Sequence, residues 1–209
     1  MANYWDPDNN GILVIDYPGG CPMVVDPHVP HLGGNMRGGD GATDYTADLW
    51  PWLVKKFSPR TVLDVGCAEG HALRAFQALG CKVVGVEGLW QNARRCEVPV
   101  IVHDLTMGPI ITEGVDLIWC CDVVEHVEER YVDNIIRTLR CAPVCVLVHG
   151  TDEHVNSGWH HVNNKPASYW VERMASAGMI YDEAVTAEAL ASAPRGWFQT
   201  SGKIYRRKQ

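Results

Sequence analysis

The sequence predicts an α/β protein: a doubly wound, mostly parallel, seven-stranded sheet with helices on both faces, preceded by a small N-terminal hairpin. Three observations carry the prediction. Five apolar runs between residues 61 and 149 alternate with helix-compatible segments, a pattern that calls for parallel strands covered on both sides. The first run, Val62-Leu63-Asp64-Val65, passes straight into a glycine-punctuated acidic turn, Gly66-Cys67-Ala68-Glu69-Gly70, with a helix behind it. The next two runs end at Glu87 and at His103-Asp104, so acids recur at consecutive strand ends, where open α/β sheets place their sites.

The elements follow in chain order. The first forty residues are rich in Gly, Pro, Asp and Asn and contain two short apolar runs, Ile12 to Tyr17 and Met23 to Asp26. Pro18-Gly19-Gly20-Cys21 separates them, which predicts a hairpin outside the main sheet. This extension, residues 1–42, is read as a cap on the site, a subunit contact or a plain decoration of the main domain, residues 43–209. Tyr45, Leu49, Trp52, Leu53 and Phe57 recur at near-helical spacing and predict a helix from Thr43 to Phe57. A second helix, His71 to Leu79, starts behind the glycine turn. Strands follow at Cys81–Val86, Val98–Val102, Gly114–Cys121 and Pro143–His149, the last after a helix with apolar Tyr131, Ile135, Ile136 and Leu139. Pro166 suits the first turn of a helix that stops at Gly178. The sixth and seventh strands are placed at Met179–Val185 and Trp197–Tyr205, and the chain holds no repeat or low-complexity linker.

The acidic turn selects its ligand. Its spacing is G-x-x-x-G, whereas a dinucleotide loop is G-x-G-x-x-G with the pyrophosphate on the helix N-terminus. Asp64 and Glu69 repel a pyrophosphate and suit a ligand with positive charge, such as the sulfonium and ammonium of S-adenosylmethionine. On these residues the chain resembles the class I S-adenosylmethionine-dependent methyltransferases of the type 11/23 kind. Their first motif, D/E-x-G-x-G-x-G, stands here as Asp64 to Gly70, with Ala68 for the middle glycine. The resemblance covers roughly residues 43 to 205 and implies a Rossmann-like methyltransferase fold whose last strand is antiparallel. It implies S-adenosylmethionine as cofactor, with Asp64, Gly66, Cys67, Ala68, Glu69 and Gly70 shaping the methionine side. Glu87, with Gly88, is expected to take the ribose hydroxyls, and Asp104 the adenine amino group beside the Leu105 backbone N–H. Cys121 and Asp122 are expected to line the pocket, while Tyr45 sits near the cofactor carboxylate or in the core.

The fourth apolar run leads into Asp122-Val123-Val124-Glu125-His126, which looks like the family's post-strand D/E-x-x-E-H motif beside the methyl-transfer pocket. A hydroxyl acceptor must lose its proton as it attacks, so a histidine or carboxylate is needed within reach. Glu125, His126, His149, His160 and His161 are candidates, and Glu125, His126 and His161 are assigned as catalytic. In some O-methyltransferases, including small-RNA terminal 2′-O-methyltransferases and ubiquinone-pathway enzymes, a similar E-x-x-E-H binds a divalent ion. That likeness implies an optional site for magnesium, manganese or zinc at Asp122, Glu125 and His126 with His160 or His161, and no metal ligand is assigned. The acceptor loop is placed at Gly158 to Pro166, where Trp159, Tyr169 and Trp170 offer stacking faces and Asn163 an amide. Helix packing competes for Tyr169 and, more strongly, for Trp170.

Composition sets the outer limits. A chain of 209 residues, 46% hydrophobic and 21% charged, fits one soluble domain with a sizeable core. A net charge of −7 disfavours avid nucleic-acid or anionic-membrane binding, and Lys203, Arg206, Arg207 and Lys208 read as a solvated end. No apolar stretch reaches membrane-spanning length and no signal pattern opens the chain, so a cytoplasmic protein is expected. The cysteines, among them Cys67, Cys81, Cys96, Cys120, Cys121, Cys141 and Cys145, read as free thiols in or beside core elements, and no C-x-x-C favours zinc. The expected function is methyl transfer to a polar acceptor, a hydroxyl of a small molecule, sugar or nucleotide. The rivals are an aminopropyltransferase, a nicotinamide oxidoreductase and a non-catalytic S-adenosylmethionine-binding module.

Overall fold

Val62 and Leu63, neighbours in one strand, bury their side chains on opposite sides of the sheet, and this alternation divides the core into two layers. The computed structural model describes residues 3–5, 13–16, 22–36, 48–151 and 158–208. The strands are β1 (Asn3–Trp5), β2 (Leu13–Asp16), β3 (Pro22–Val25), β4 (Gly33–Met36), β5 (Thr61–Val65), β6 (Lys82–Glu87), β7 (Val100–Val102), β8 (Leu117–Cys121), β9 (Val144–Val148), β10 (Met179–Tyr181) and β11 (Lys203–Arg207). The helices are α1 (Leu49–Phe57), α2 (His71–Ala78), α3 (Trp90–Ala93), α4 (Val132–Leu139), α5 (Ala167–Ser176), α6 (Glu183–Ser192) and α7 (Trp197–Ser201).

The main sheet has seven strands in the order β7-β6-β5-β8-β9-β11-β10. Strands β5 to β9 run parallel to one another, and β11 inserts antiparallel between β9 and β10. This is the expected doubly wound α/β sheet with helices on both faces. On one face α1, α2, α6 and α7 cover Val62, Leu117, Val146 and Ile204; on the other α4 and α5 cover Leu63, Ile118, Cys145 and Tyr205. The strands are apolar on both sides because neither face meets water.

The N-terminal hairpin is present as β2 against β3, and it is larger than expected: β1 and β4 extend it to a four-stranded antiparallel sheet. The helix expected from Thr43 begins in the described residues at Leu49, and Tyr45 lies outside them. Two further expectations are corrected near the C-terminus. The strand placed at Met179–Val185 stops at Tyr181, because the Asp182 side chain accepts from Val185 N at 3.1 Å and caps α6 instead. The strand placed at Trp197–Tyr205 opens as the short helix α7 and becomes β11 only after Gly202. No helix among the described residues is long and apolar enough to cross a membrane.

Candidate active site

From β5 the chain steps outward through β6 and β7, then returns to β8 and β9 on the other side of β5, so the strand order reverses between β5 and β8. A crevice opens at the carboxyl ends of the strands at such a point. A cavity of about 350 Å³ lies there, lined among others by Trp50 and Trp119 and by residues of β3, β4 and the turn between them.

The glycine turn is pinned to its neighbouring strand. Gly66 N and Cys67 N both donate to Val86 O, at 2.8 and 3.0 Å. Gly66, at φ +75°, has no room for a side chain, since a Cβ there would stand 2.2 Å from Val123 Cγ2. Ala68 takes φ +47°, the left-handed conformation that alanine disfavours. Glu69 and Gly70 fall outside the cavity wall: Glu69 Oε1 turns toward Arg95 Nε at 3.8 Å, and Gly70 caps α2 beside Cys96.

Three acids line one end of the cavity. Asp64 is buried, and burial, then the Glu87 and Cys96 charges, push its carboxyl well above the usual range. Glu87 is 6% exposed; its Oε1 accepts from Leu89 N and its Oε2 from Ala68 N, both at 2.8 Å. Burial raises its carboxyl against the lowering effect of these donors. Asp104 Oδ1 accepts from Thr106 N at 2.8 Å, and its Oδ2 lies 2.9 Å from His31 Nε2. Burial alone would raise Asp104, but the His31 and Thr106 bonds outweigh it and hold the carboxyl below its ordinary value.

The other end is built around Glu125, which is 1% exposed. Its Oε1 accepts from Gly150 N at 2.9 Å, and its backbone carbonyl accepts from Val162 N and Asn163 N, both at 3.0 Å. One residue beyond β8 thus holds both ends of the connection between β9 and α5. Burial, then the neighbouring Asp122 carboxylate, push the Glu125 carboxyl well up, and Glu125 Oε2 meets no donor among the described residues. His126 and His161 meet edge to face with ring centroids 4.8 Å apart. Burial, followed by His161, holds His126 down to about 3, so its imidazole is neutral at physiological pH. Single ligand atoms of Glu125, His126 and His161 lie within 4.8 Å of one another. Of the two loop histidines, His161 lines the cavity and His160 does not.

Most of the expected site residues meet in this one cavity: Asp64, Gly66, Cys67, Ala68, Glu87, Gly88, Asp104, Leu105, Cys121 and Asp122 line it, together with Glu125, His126 and His161. Trp159 also faces it, whereas Trp170 is fully buried and Tyr169 packs edge-on against it at 5.1 Å. Asn163 is spent on the scaffold, its Nδ2 donating to Val124 O at 3.4 Å. Sequence reasoning missed His31, Gly34 and Asn35 from the N-terminal sheet and Thr200 and Ser201 from α7, all of which line the cavity. The one available signal was the His31-x-Gly33-Gly34 pattern after the second apolar run.

The charge of the wall decides the ligand class. Asp64, Glu87, Asp104, Asp122 and Glu125 face the cavity, and no Lys or Arg is among the described lining residues. Such a wall fits a sulfonium and an ammonium and repels a pyrophosphate. A family model described as a methyltransferase domain matches residues 38–172. The chain belongs to this methyltransferase family. It is an S-adenosylmethionine-dependent enzyme with a Rossmann-like class I fold. Among solved structures, it resembles the plantazolicin methyltransferase BpumL in complex with a desmethylPZN analogue and SAH (TM-score 0.61, 13% identity, 83% of this chain and 87% of that one). It also resembles the sugar N-methyltransferase KedS8 from Streptoalloteichus sp (TM-score 0.60, 15% identity, 83% and 90% covered). A third likeness is to magnesium protoporphyrin IX methyltransferase from Synechocystis PCC 6803 with bound SAM (TM-score 0.59, 14% identity, 81% and 80% covered). No curated protein sequence matches the methyltransferase.

Proposed function

We propose that this methyltransferase acts on a hydroxyl of a small polar acceptor, a small molecule, sugar or nucleotide, seated at the Glu125, His126 and His161 end of the cavity. The observation that carries the reading is the convergence of these three side chains opposite the Glu87 and Asp104 end of the same cavity. When bound, S-adenosylmethionine supplies an electrophilic methyl on a sulfonium. The protein's own work is to orient the acceptor, exclude water and take a proton.

Each residue has a part in that work. Asp64, Gly66, Cys67 and Ala68 shape the methionine side, with Glu69 and Gly70 supporting the turn from behind. Glu87 and Gly88 hold the ribose, Asp104 and Leu105 the adenine, and Cys121 and Asp122 the wall between the two ends. His126, held down to about 3, is too weak a base to keep the acceptor's proton. That proton goes to His161, whose ring rests edge-on against His126. Glu125 positions the β9–α5 connection at both its ends, through Gly150, Val162 and Asn163. Residues 43–209 form the catalytic domain and 1–42 its N-terminal extension. Free thiols at the described cysteines support a reducing compartment, the cytoplasm.

A divalent cation at Glu125, His126 and His161 is a second reading, favoured by the proximity of their ligand atoms within 4.8 Å and by the Asp122 carboxylate pressed against Glu125. An ion held at about 2.1 Å needs these atoms to close by roughly an ångström. Mixed oxygen and imidazole donors suit magnesium, manganese or zinc, and the ion would orient the hydroxyl and ease its deprotonation.

Methyl transfer to a panel of hydroxyl and amine acceptors, read as the mass gain of one methylene, tests the first reading. His161→Ala is expected to lower kcat by about 10²–10⁴-fold while S-adenosylhomocysteine affinity stays within about twofold. Methylation of amines alone contradicts it. For the cation, manganese binding followed by electron paramagnetic resonance and activity lost to EDTA are expected; activity and cofactor affinity untouched by EDTA remove it.

A further inference from the structure

Residues 30–36 cross both ends of the cavity. His31 Nε2 meets Asp104 Oδ2 at 2.9 Å, Asn35 Oδ1 accepts from Asn92 Nδ2 at 2.8 Å, and the Pro30 carbonyl accepts from Trp159 Nε1 at 2.9 Å. Leu32 fills the space over Gly88, where a Cβ would stand 2.3 Å from Leu32 Cδ2, and joins Val24 and Leu89 in a small apolar cluster. Gly34, at φ +92°, comes so close to the acceptor end that a Cβ on it would stand 2.9 Å from His126 Cε1. The segment is therefore fastened to the wall rather than laid over it.

We propose that this segment is the adenine-side wall of the cofactor site and that His31 is a positioning residue that sets selectivity for adenine by holding Asp104. The proposal rests on the assignment of Asp104 to the adenine amino group. An ionised carboxylate only accepts hydrogen bonds, so it welcomes the amino group of adenine and repels the oxo group of hypoxanthine. That discrimination needs a carboxylate fixed in place. Asp104 stands in a loop beyond β7, half-buried, and each of its oxygens takes one donor. The Thr106 donor is local, two residues along the chain; His31 is 73 residues away, in the turn between β3 and β4, and ties the carboxylate to the N-terminal sheet's connection. With one donor on each oxygen, Asp104 keeps lone pairs that can accept from a ligand in the cavity that both residues line.

The test is calorimetric titration with S-adenosylhomocysteine and S-inosylhomocysteine of the wild type, His31→Ala, His31→Gln and Asp104→Asn, with thermal melts confirming that each is folded. The wild type is expected to prefer the adenine ligand by at least about tenfold. His31→Ala should lose about tenfold for the adenine ligand and no more than about threefold for the inosine ligand, while His31→Gln, which keeps an N–H donor, recovers most of the preference. Equal losses for both ligands would reduce His31 to mere wall support and overturn the proposal, as would an unaltered preference. Asp104→Asn with wild-type affinity for S-adenosylhomocysteine overturns the adenine assignment and the proposal with it. A weakened Asp104→Asn beside a normal His31→Ala overturns the role of His31 alone.

Discussion

The Ala68 amide donates to Glu87 Oε2 at 2.8 Å, and this bond joins the glycine turn to the end of the neighbouring strand. Because Leu89 N holds the other oxygen at 2.8 Å, Glu87 is a structural clamp as well as the expected ribose acceptor. Glu87→Ala is therefore expected to weaken S-adenosylmethionine binding by about 1–3 kcal/mol and to lower stability by a similar amount, since two backbone donors lose their acceptor. Calorimetry and urea unfolding check the two effects separately. Unchanged cofactor affinity contradicts the ribose assignment.

Ala68 is the residue by which the turn departs from the three-glycine motif, and it sits at φ +47°. A left-handed alanine costs about 1–2 kcal/mol, partly offset in a glycine variant by the greater freedom of its unfolded chain. Ala68→Gly should therefore gain about 0.5–1 kcal/mol in urea unfolding. A loss of stability would show that the methyl group packs to advantage.

Gly158, at φ +88°, lies under His161: a Cβ there would stand 2.4 Å from Nε2. Gly158→Ala should push His161 out of place and lower kcat by about 10²-fold, the scale for a misplacement of an ångström, with cofactor affinity unchanged. Wild-type turnover in this variant would remove His161 from the proton path.

The strands of the parallel sheet were legible because β5, β6, β8 and β9 are apolar runs with turns at both ends. The cavity lining was legible where it sits at or near strand ends, as Asp64, Glu87 and Asp104 do, since the position of an acid beside an apolar run is local information. The segment after Tyr181 misled because helix α6 is rich in alanine and lacks a clear apolar stripe, while the Asp182 cap looks in sequence like any loop acid. His31 was illegible for another reason. Its partner is 73 residues away and the contact is made between two loops, the β3–β4 turn and the loop beyond β7, so no spacing in the chain announces it. Asn163 and Glu125 show the converse: polar residues expected at the acceptor hold backbone amides and carbonyls of the loops that frame it.

Cys67 and Cys96 both approach the Ala68 carbonyl, at 3.9 and 3.3 Å. The neighbouring Cys67 thiol holds the Cys96 thiol down, while Cys96, then burial, pushes Cys67 up. Burial pushes Cys120 and Cys145 up. Iodoacetamide should therefore alkylate Cys96 well before Cys120 and Cys145, and Cys67→Ala should slow it. A mass-spectrometric time course checks the order; early labelling of Cys145 contradicts it.

His149 is buried, and its Nδ1–H donates to Gly150 O at 2.9 Å. Burial holds its pKa below the ordinary histidine value. Below about pH 6.5 the unfolded chain takes up this proton before the folded protein does, so the histidine subtracts from stability as pH falls, by up to about 1.4 kcal/mol per pH unit. His149→Gln removes that contribution. Urea unfolding from pH 7 to 5 should move the gap between variant and wild type steadily in the variant's favour, and parallel curves contradict the assignment.

The acidic cavity, with no Lys or Arg among its described lining residues, is expected to hold S-adenosylmethionine and to reject a dinucleotide. Isothermal titration of the whole chain with S-adenosylmethionine and, separately, with NAD tests it most directly. Micromolar S-adenosylmethionine binding, about −8 kcal/mol, and no heat with NAD are expected. Undetectable S-adenosylmethionine binding, or NAD binding of equal strength, would contradict that expectation.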